Sequence, residues 1–196
     1  WIFISTALMF CAGKGEQLGM PFFVSPAEMA CYGVAFNIVM MPTEGLGHVI
    51  SSVLFPVYSR VVESGGDLAA AYRQSRYPGM LFGAWSLAGL LAGGQAAIHL
   101  LYEDQYAAAG WMLQIAAVGA WFRVLESTNG MVLLARGEAH LTAGGSLTKV
   151  IGIAICLPLG FQAYGFPGLL AGLVVAEVFR YFFSTYVSRR VGLRGL

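Results

Sequence analysis

The sequence predicts an all-α integral membrane protein, a helical bundle of about six transmembrane crossings, and three observations lead there. Apolar residues make up 58% of the 196 and charged residues only 11%, where a soluble domain carries about 25% charged residues. The mean hydropathy is +0.70, and the apolar residues form stretches near the roughly 17–25 residues that cross a bilayer. The bases in the connections between those stretches fall on one side, the signature of cytoplasmic loops. A formal net charge of +1 says little by itself.

The crossings are expected at about 2–24, 30–58, 77–101, 107–135, 141–162 and 167–188. Turn residues separate them: Ser25-Pro26, Ser64-Gly65-Gly66-Asp67, Glu103-Asp104, Arg136-Gly137-Glu138 and Tyr164-Gly165-Phe166-Pro167. Arg60, Arg73 and Arg76 follow the second crossing, Arg136 the fourth, and Arg189, Arg190 and Arg194 the sixth. The other connections lack Lys and Arg, so both chain ends are expected in the cytoplasm. A start at Trp1, with no initiator Met and no basic leader, reads as a fragment.

In the first crossing Lys14, Glu16 and Gln17 sit among Gly13, Gly15, Gly19 and Pro21, residues that weaken a helix. Two readings stay open: a helix broken at mid-membrane, as transporters use at binding sites, or a truncated helix with Lys14 near an interface. The second crossing carries Pro42, then Glu44 and His48 four apart. A kink turning Glu44 into an aqueous cavity is expected there, rather than a metal site. Leu68–Gln74 reads as a short interfacial helix, with Arg73 and Arg76 as orientation signals or headgroup contacts.

The third crossing is nearly free of charge. GxxxG spacings at Gly79/Gly83 and Gly89/Gly93, and again at Gly15/Gly19 and Gly168/Gly172, suggest close helix packing. Cys11, Cys31 and Cys156 are widely spaced and read as small packing residues.

The segment 107–140 organises the chain. It is long enough to cross a bilayer and holds Arg123, Glu126 and Asn129 at its centre. Ionisable residues there are expensive and mark a functional site by default. The fifth crossing holds Lys149 two turns from its start, where snorkelling to the interface accounts for it. The sixth holds Glu177 and Arg180, three apart like Arg123 and Glu126. Two readings stand: each pair neutralises itself along its own helix, or the pairs line a cavity and exchange partners when it opens.

No phosphate-cradling glycine loop, nucleophile elbow or metal-ligand cluster is present in the sequence. Glu103 and Asp104 read as solvated loop acids. An enzyme, a cofactor, a metal site and a nucleic-acid partner are therefore not expected.

FPVYSR at 55–60, the GGDL loop at 65–68 and AYRQ at 71–74 resemble the bacterial polysaccharide-unit flippases, O-antigen flippases among them. These belong to the multidrug/oligosaccharidyl-lipid/polysaccharide exporter superfamily. LYEDQYAAAGWMLQIAAVGAWF at 101–122, ESTNGMVLLARGEAH at 126–140 and AEVFRYFFSTYVSRRVGL at 176–193 extend the similarity, and residues 1–37 are similar to the start of that family's second half. The family pattern has Asp-Arg where this chain has Glu16-Gln17. The acid is kept and the base is lost.

The resemblance implies a two-lobed, alternating-access transporter of which residues 1–196 are the C-terminal lobe. It implies flipping of undecaprenyl-diphosphate-linked oligosaccharides across the bacterial inner membrane, coupled to an ion gradient, for polysaccharide and lipopolysaccharide biosynthesis. Expected partners are the lipid-linked oligosaccharide, membrane lipid, the N-terminal lobe, and the polysaccharide polymerase and export machinery. By position and charge, Arg123 and Arg180 are candidates for phosphate or sugar contact, with Asn129 and Lys14 beside them. Glu16, Glu44, Glu126 and Glu177 are candidates for ion coupling. The rival expectations are a cation-coupled multidrug antiporter of the same superfamily and a membrane-embedded enzyme of polysaccharide assembly.

Overall fold

Helices account for nearly all of residues 2–190, which the computed structural model describes, and these residues contain no strand. Arg194, in the last cluster of orientation signals, lies outside them. In chain order the helices are α1 (Ile2–Gly19), α2 (Pro26–Val49), α3 (Phe55–Glu63), α4 (Leu68–Leu101), α5 (Ala109–Ala135) and α6 (Ala139–Arg190). Three apolar helical stretches are long enough to cross a membrane: Pro26–Glu63, Leu68–Leu101 and Ala139–Arg190. Large apolar side chains face outward, among them Phe22, Met41, Trp85, Leu100 and Phe182. A surface of that kind is at home in lipid and costly in water. The chain is a multi-pass membrane helical bundle.

The first crossing is not broken among its glycines. α1 runs through Gly13 and Gly15 and ends at Gly19, where a 3₁₀ turn, Met20–Phe22, holds Pro21. An unbroken helix satisfies every peptide group internally, and apolar surroundings reward that more than propensity penalises glycine. Gly15 and Gly19 face Ile153 and Leu157 of α6.

α2 begins in a capping box: Ser25 Oγ accepts from the Glu28 amide at 3.3 Å, and Glu28 accepts from the Ser25 amide at 2.8 Å. The helix passes through Pro42, where Thr43 Oγ1 donates to the Val39 carbonyl at 2.9 Å, a side-chain contact of the sort that steadies proline-loosened turns. A π-helical turn, Ile50–Leu54, joins it to α3 just before Pro56. Asp67 then caps α4, accepting from the amides of Ala69 and Ala70.

The short interfacial helix expected over 68–74 is instead the first two turns of α4. That helix runs unbroken through Pro78 for 34 residues, about 51 Å. Tyr58 and Tyr72 tie its base down. Tyr58 Oη lies 2.6 Å from Ser75 Oγ, and the Tyr72 hydroxyl donates to Asn129 Oδ1 on α5.

α5 is the hub, packing against α2, α3, α4 and α6, while α1 packs on α6. It ends at Gly137, whose φ of +78° suits a glycine C-cap. α6 is continuous except at Tyr164 and Gly165, where Gly165 adopts φ +61°. That break divides it into limbs 139–163 and 166–190, matching the turn expected at 164–167.

The limbs touch backbone to backbone. A Cβ on Gly168 would overlap the Gly160 carbonyl, one on Gly172 the Cys156 carbonyl, and one on Gly152 would lie 3.1 Å from Ala176 Cβ. Of the GxxxG spacings, Gly168/Gly172 therefore serves this contact, and Gly83 sits against Val124 of α5. Gly89 and Gly93 face open space, and it is Gly94 that meets Leu113. Cys156 packs in the limb contact as expected, but Cys11 is exposed on the bundle's outer face. Gly168→Leu is expected to exceed the roughly 1–3 kcal/mol of ordinary overpacking, because a carbonyl rather than a movable side chain blocks it. A lowered apparent Tm of the protein in detergent would show this; an unchanged Tm would disprove the close approach.

Candidate functional site

Four charged side chains from three helices meet in the middle of the bundle. Glu16 comes from α1, Arg123 from α5, Lys149 from the first limb of α6 and Glu177 from the second. Arg123 Nε and Nη2 donate to Glu177 Oε1 at 2.9 and 2.7 Å, and Nη2 also donates to Glu16 Oε1 at 3.1 Å. Lys149 Nζ lies 2.6 Å from the same Glu177 oxygen. Two acids and two bases thus form a neutral chain, Glu16–Arg123–Glu177–Lys149. Neutrality and short contacts are what make buried charge tolerable, since each uncompensated ion costs several kcal/mol to desolvate.

The second pair stands apart: Arg180 Nη2 lies 2.8 Å from Glu126 Oε2. Self-pairing within each helix therefore does not occur. Arg123 reaches Glu177 and Arg180 reaches Glu126, so α5 and the second limb of α6 exchange partners reciprocally. The i,i+3 spacing permits a pair along one helix, but here the facing helix lies close enough to supply the acid.

Lys149 does not snorkel. It is 1% exposed. The close approach of the two limbs at Gly152 and Ala176 carries Lys149 to Glu177 one turn further along, so a partner is nearer than the interface. Sequence reasoning missed this residue; its signal was a lysine entering the apolar run VIGIAICLPL beside a stripe of small residues.

Arg123 also stands between two cavities. On one side is a space of about 30 Å³ whose walls include Glu16, Tyr32 and Glu177. On the other is a cavity of about 350 Å³ whose walls include Lys14, Thr43, Glu44 and Ser127. Phe36, Met40 and Arg123 border both. The guanidinium lies 5.8 Å from the Phe36 ring centre and donates from Nη1 to Met40 Sδ at 3.1 Å. Lys14 and Glu44 are exposed and put one charge of each sign on the larger cavity.

Asn129 is buried, with both ends of its amide engaged. Its Oδ1 accepts from Tyr72 and its Nδ2 donates to Thr185 Oγ1 at 3.3 Å. In this arrangement it braces α4, α5 and the second limb of α6 together.

A family model described as polysaccharide biosynthesis protein matches residues 1–111. The chain belongs to that family. Among the relatives of this chain is the teichuronic acid biosynthesis protein TuaB of Bacillus subtilis, 26% identical over 119 residues, covering 61% of this chain and 25% of TuaB. Another is the lipopolysaccharide biosynthesis protein WzxC of Escherichia coli, 19% identical over 156 residues, covering 80% of this chain and 32% of WzxC. The chain thus spans about a quarter to a third of the length of these relatives. No solved structure matches it.

Proposed function

We propose that this polysaccharide biosynthesis protein is the C-terminal lobe of an alternating-access transporter that flips lipid-linked oligosaccharides across the bacterial inner membrane, with both chain ends in the cytoplasm. A diphosphate and its sugars cannot enter hydrocarbon, whereas the polyprenyl tail can remain there. A cavity supplying cations and polar groups replaces the water the headgroup loses. The observation that carries the reading is Arg123, a guanidinium on the wall of a 350 Å³ cavity within the membrane helical bundle. Arginine suits phosphate because its planar fork donates two hydrogen bonds at once. Membership of the family and the names of its relatives support a role in polysaccharide assembly. The N-terminal lobe, membrane lipid and the polymerase and export machinery are its proposed partners.

The full-length parent gene, expressed in a bacterium deleted for its own polysaccharide flippase, is expected to restore surface polysaccharide and clear accumulated lipid-linked units. Arg123→Ala is expected to cut that transport about 10–100-fold, the equivalent of the roughly 1.5–3 kcal/mol of a hydrogen bond to a charged group. Full transport by Arg123→Ala would remove Arg123 from the site. Drug resistance without polysaccharide would instead favour a cation-coupled antiporter.

A further inference from the structure

An apolar groove runs along the outside of the bundle between α2 and α4. Its wider part, about 660 Å³, reaches from Leu54 and Ser75 to Met41 and Phe82. A further space of about 470 Å³ continues past Met41 and Pro42 to Ile38 and Leu90. On α4 the wall residues Ser75, Pro78, Gly79, Phe82, Ser86 and Gly89 recur three and four apart, the mark of one helix face. The two hydroxyls among them are already engaged. Ser75 Oγ lies 2.6 Å from Tyr58 Oη, and Ser86 Oγ donates to the Phe82 carbonyl at 2.8 Å. A sugar or a phosphate would lose its water there with little in return, so the groove suits a hydrocarbon.

Three observations choose among hydrocarbon occupants. The first is length. From Ser75 to Leu90 the groove follows α4 for about 22 Å, whereas a bilayer core of about 30 Å gives each leaflet about 15 Å. Arg73 and Arg76 flank Ser75 and set that end at a membrane boundary. The groove therefore runs on beyond the midplane, further than the chains of a lipid confined to one leaflet. The second is width. Gly45 and Gly89 stand on opposite walls with nothing within 4 Å of where a Cβ would lie, which leaves room for the methyl branches of an isoprenoid. The third is position. Met40, Thr43, Glu44 and Gly47 face the 350 Å³ cavity at Arg123, while Met41, Pro42, Gly45 and Val49 face the groove. One helix, about 10 Å across, separates a polar cavity from an apolar groove.

We propose that this groove seats the polyprenyl chain of the lipid-linked substrate while its diphosphate occupies the cavity on the other face of α2. Bilayer lipid is as apolar as the groove, so the gain is not hydrophobic. It comes from dispersion contacts with two walls, and from the headgroup, which holds the chain at high effective concentration beside α2. Gly45 and Gly89, which touch no neighbouring helix, keep the groove open. The inference rests on the lipid-linked reading and adds to it a binding site for the tail.

Native mass spectrometry of the protein released from phosphatidylglycerol nanodiscs tests this, with undecaprenyl diphosphate and undecaprenol as probes in separate discs. The wild type is expected to carry each probe out of the bilayer. Gly45→Trp and Gly89→Trp each close the groove from a wall where a side chain has room, and are expected to retain about tenfold less of both probes. Gly93→Trp, on α4 with open space before it but off the groove, is expected to behave as the wild type. Wild-type retention of both probes by the two groove variants would overturn the proposal, as would a wild type that carries neither. Loss of phosphatidylglycerol in place of the probes would also overturn it, by marking the groove as a seat for bilayer lipid. Arg123→Ala is expected to retain less undecaprenyl diphosphate and as much undecaprenol. Undiminished retention of the diphosphate by that variant would overturn the headgroup site while the groove variants still upheld the tail site, so the two failures are distinct.

Discussion

Lys149→Met is expected to cost about 3–5 kcal/mol of stability, the usual penalty for removing one partner of a buried ion pair. It would leave Glu16 and Glu177 sharing Arg123 alone, a net negative charge at the centre of an apolar bundle. The informative variant is the double one. Lys149→Met with Glu177→Leu removes one base and one acid and leaves Arg123 bonded to Glu16, so most of the stability is expected to return. Reversible unfolding of the full-length protein in detergent would measure the cycle. Additive costs would mean that the 2.6 Å contact between Lys149 and Glu177 contributes nothing.

Charge reversal at the second pair has the next largest effect. Glu126→Arg sets a new guanidinium against Arg180 and removes that residue's acid. A loss of roughly 2–4 kcal/mol is expected, somewhat below the fully buried case because the Arg180 side chain is 16% exposed. Adding Arg180→Glu restores opposite charges across α5 and α6 and is expected to recover much of the loss. Pairing Glu126→Arg with Arg123→Glu keeps opposite charges three residues apart on α5 but sets like charges against both partners on α6. That double variant is expected to be worse than either single. If it were the one that recovered, the charges would be pairing along their helices after all.

The two experiments probe what local sequence leaves open. Arg123 and Glu126, like Glu177 and Arg180, satisfy the i,i+3 rule for a pair on one helix. They also satisfy reciprocal exchange across two helices. Nothing within either segment distinguishes these, because the choice depends on how α5 and the second limb of α6 are rotated toward each other. Lys149 poses the same problem. Two turns into a crossing, a lysine reaches the interface as readily as a partner, until the facing limb comes close.

Composition, span length and turn residues determined the membrane helical class and the approximate extents of the helices, since lipid leaves a backbone few alternatives to the helix. Gly165 between two apolar runs marked the reversal in α6, and the charges within 107–140 marked the helix on which the others pack. Local signals did not resolve a helix's weak points: whether Gly13 and Gly15 break α1 stayed open and the helix runs through them, and the short helix expected over 68–74 is the start of α4. Only the tertiary structure decided which charges meet. The backbone contact at Gly160, Gly168 and Gly172 brings the limbs of α6 together, and that approach places Lys149 on Glu177 and leaves Arg123 facing the cavity. Helix formation is settled by neighbours along the chain, whereas a buried charge takes its partner from whichever helix packing places within reach.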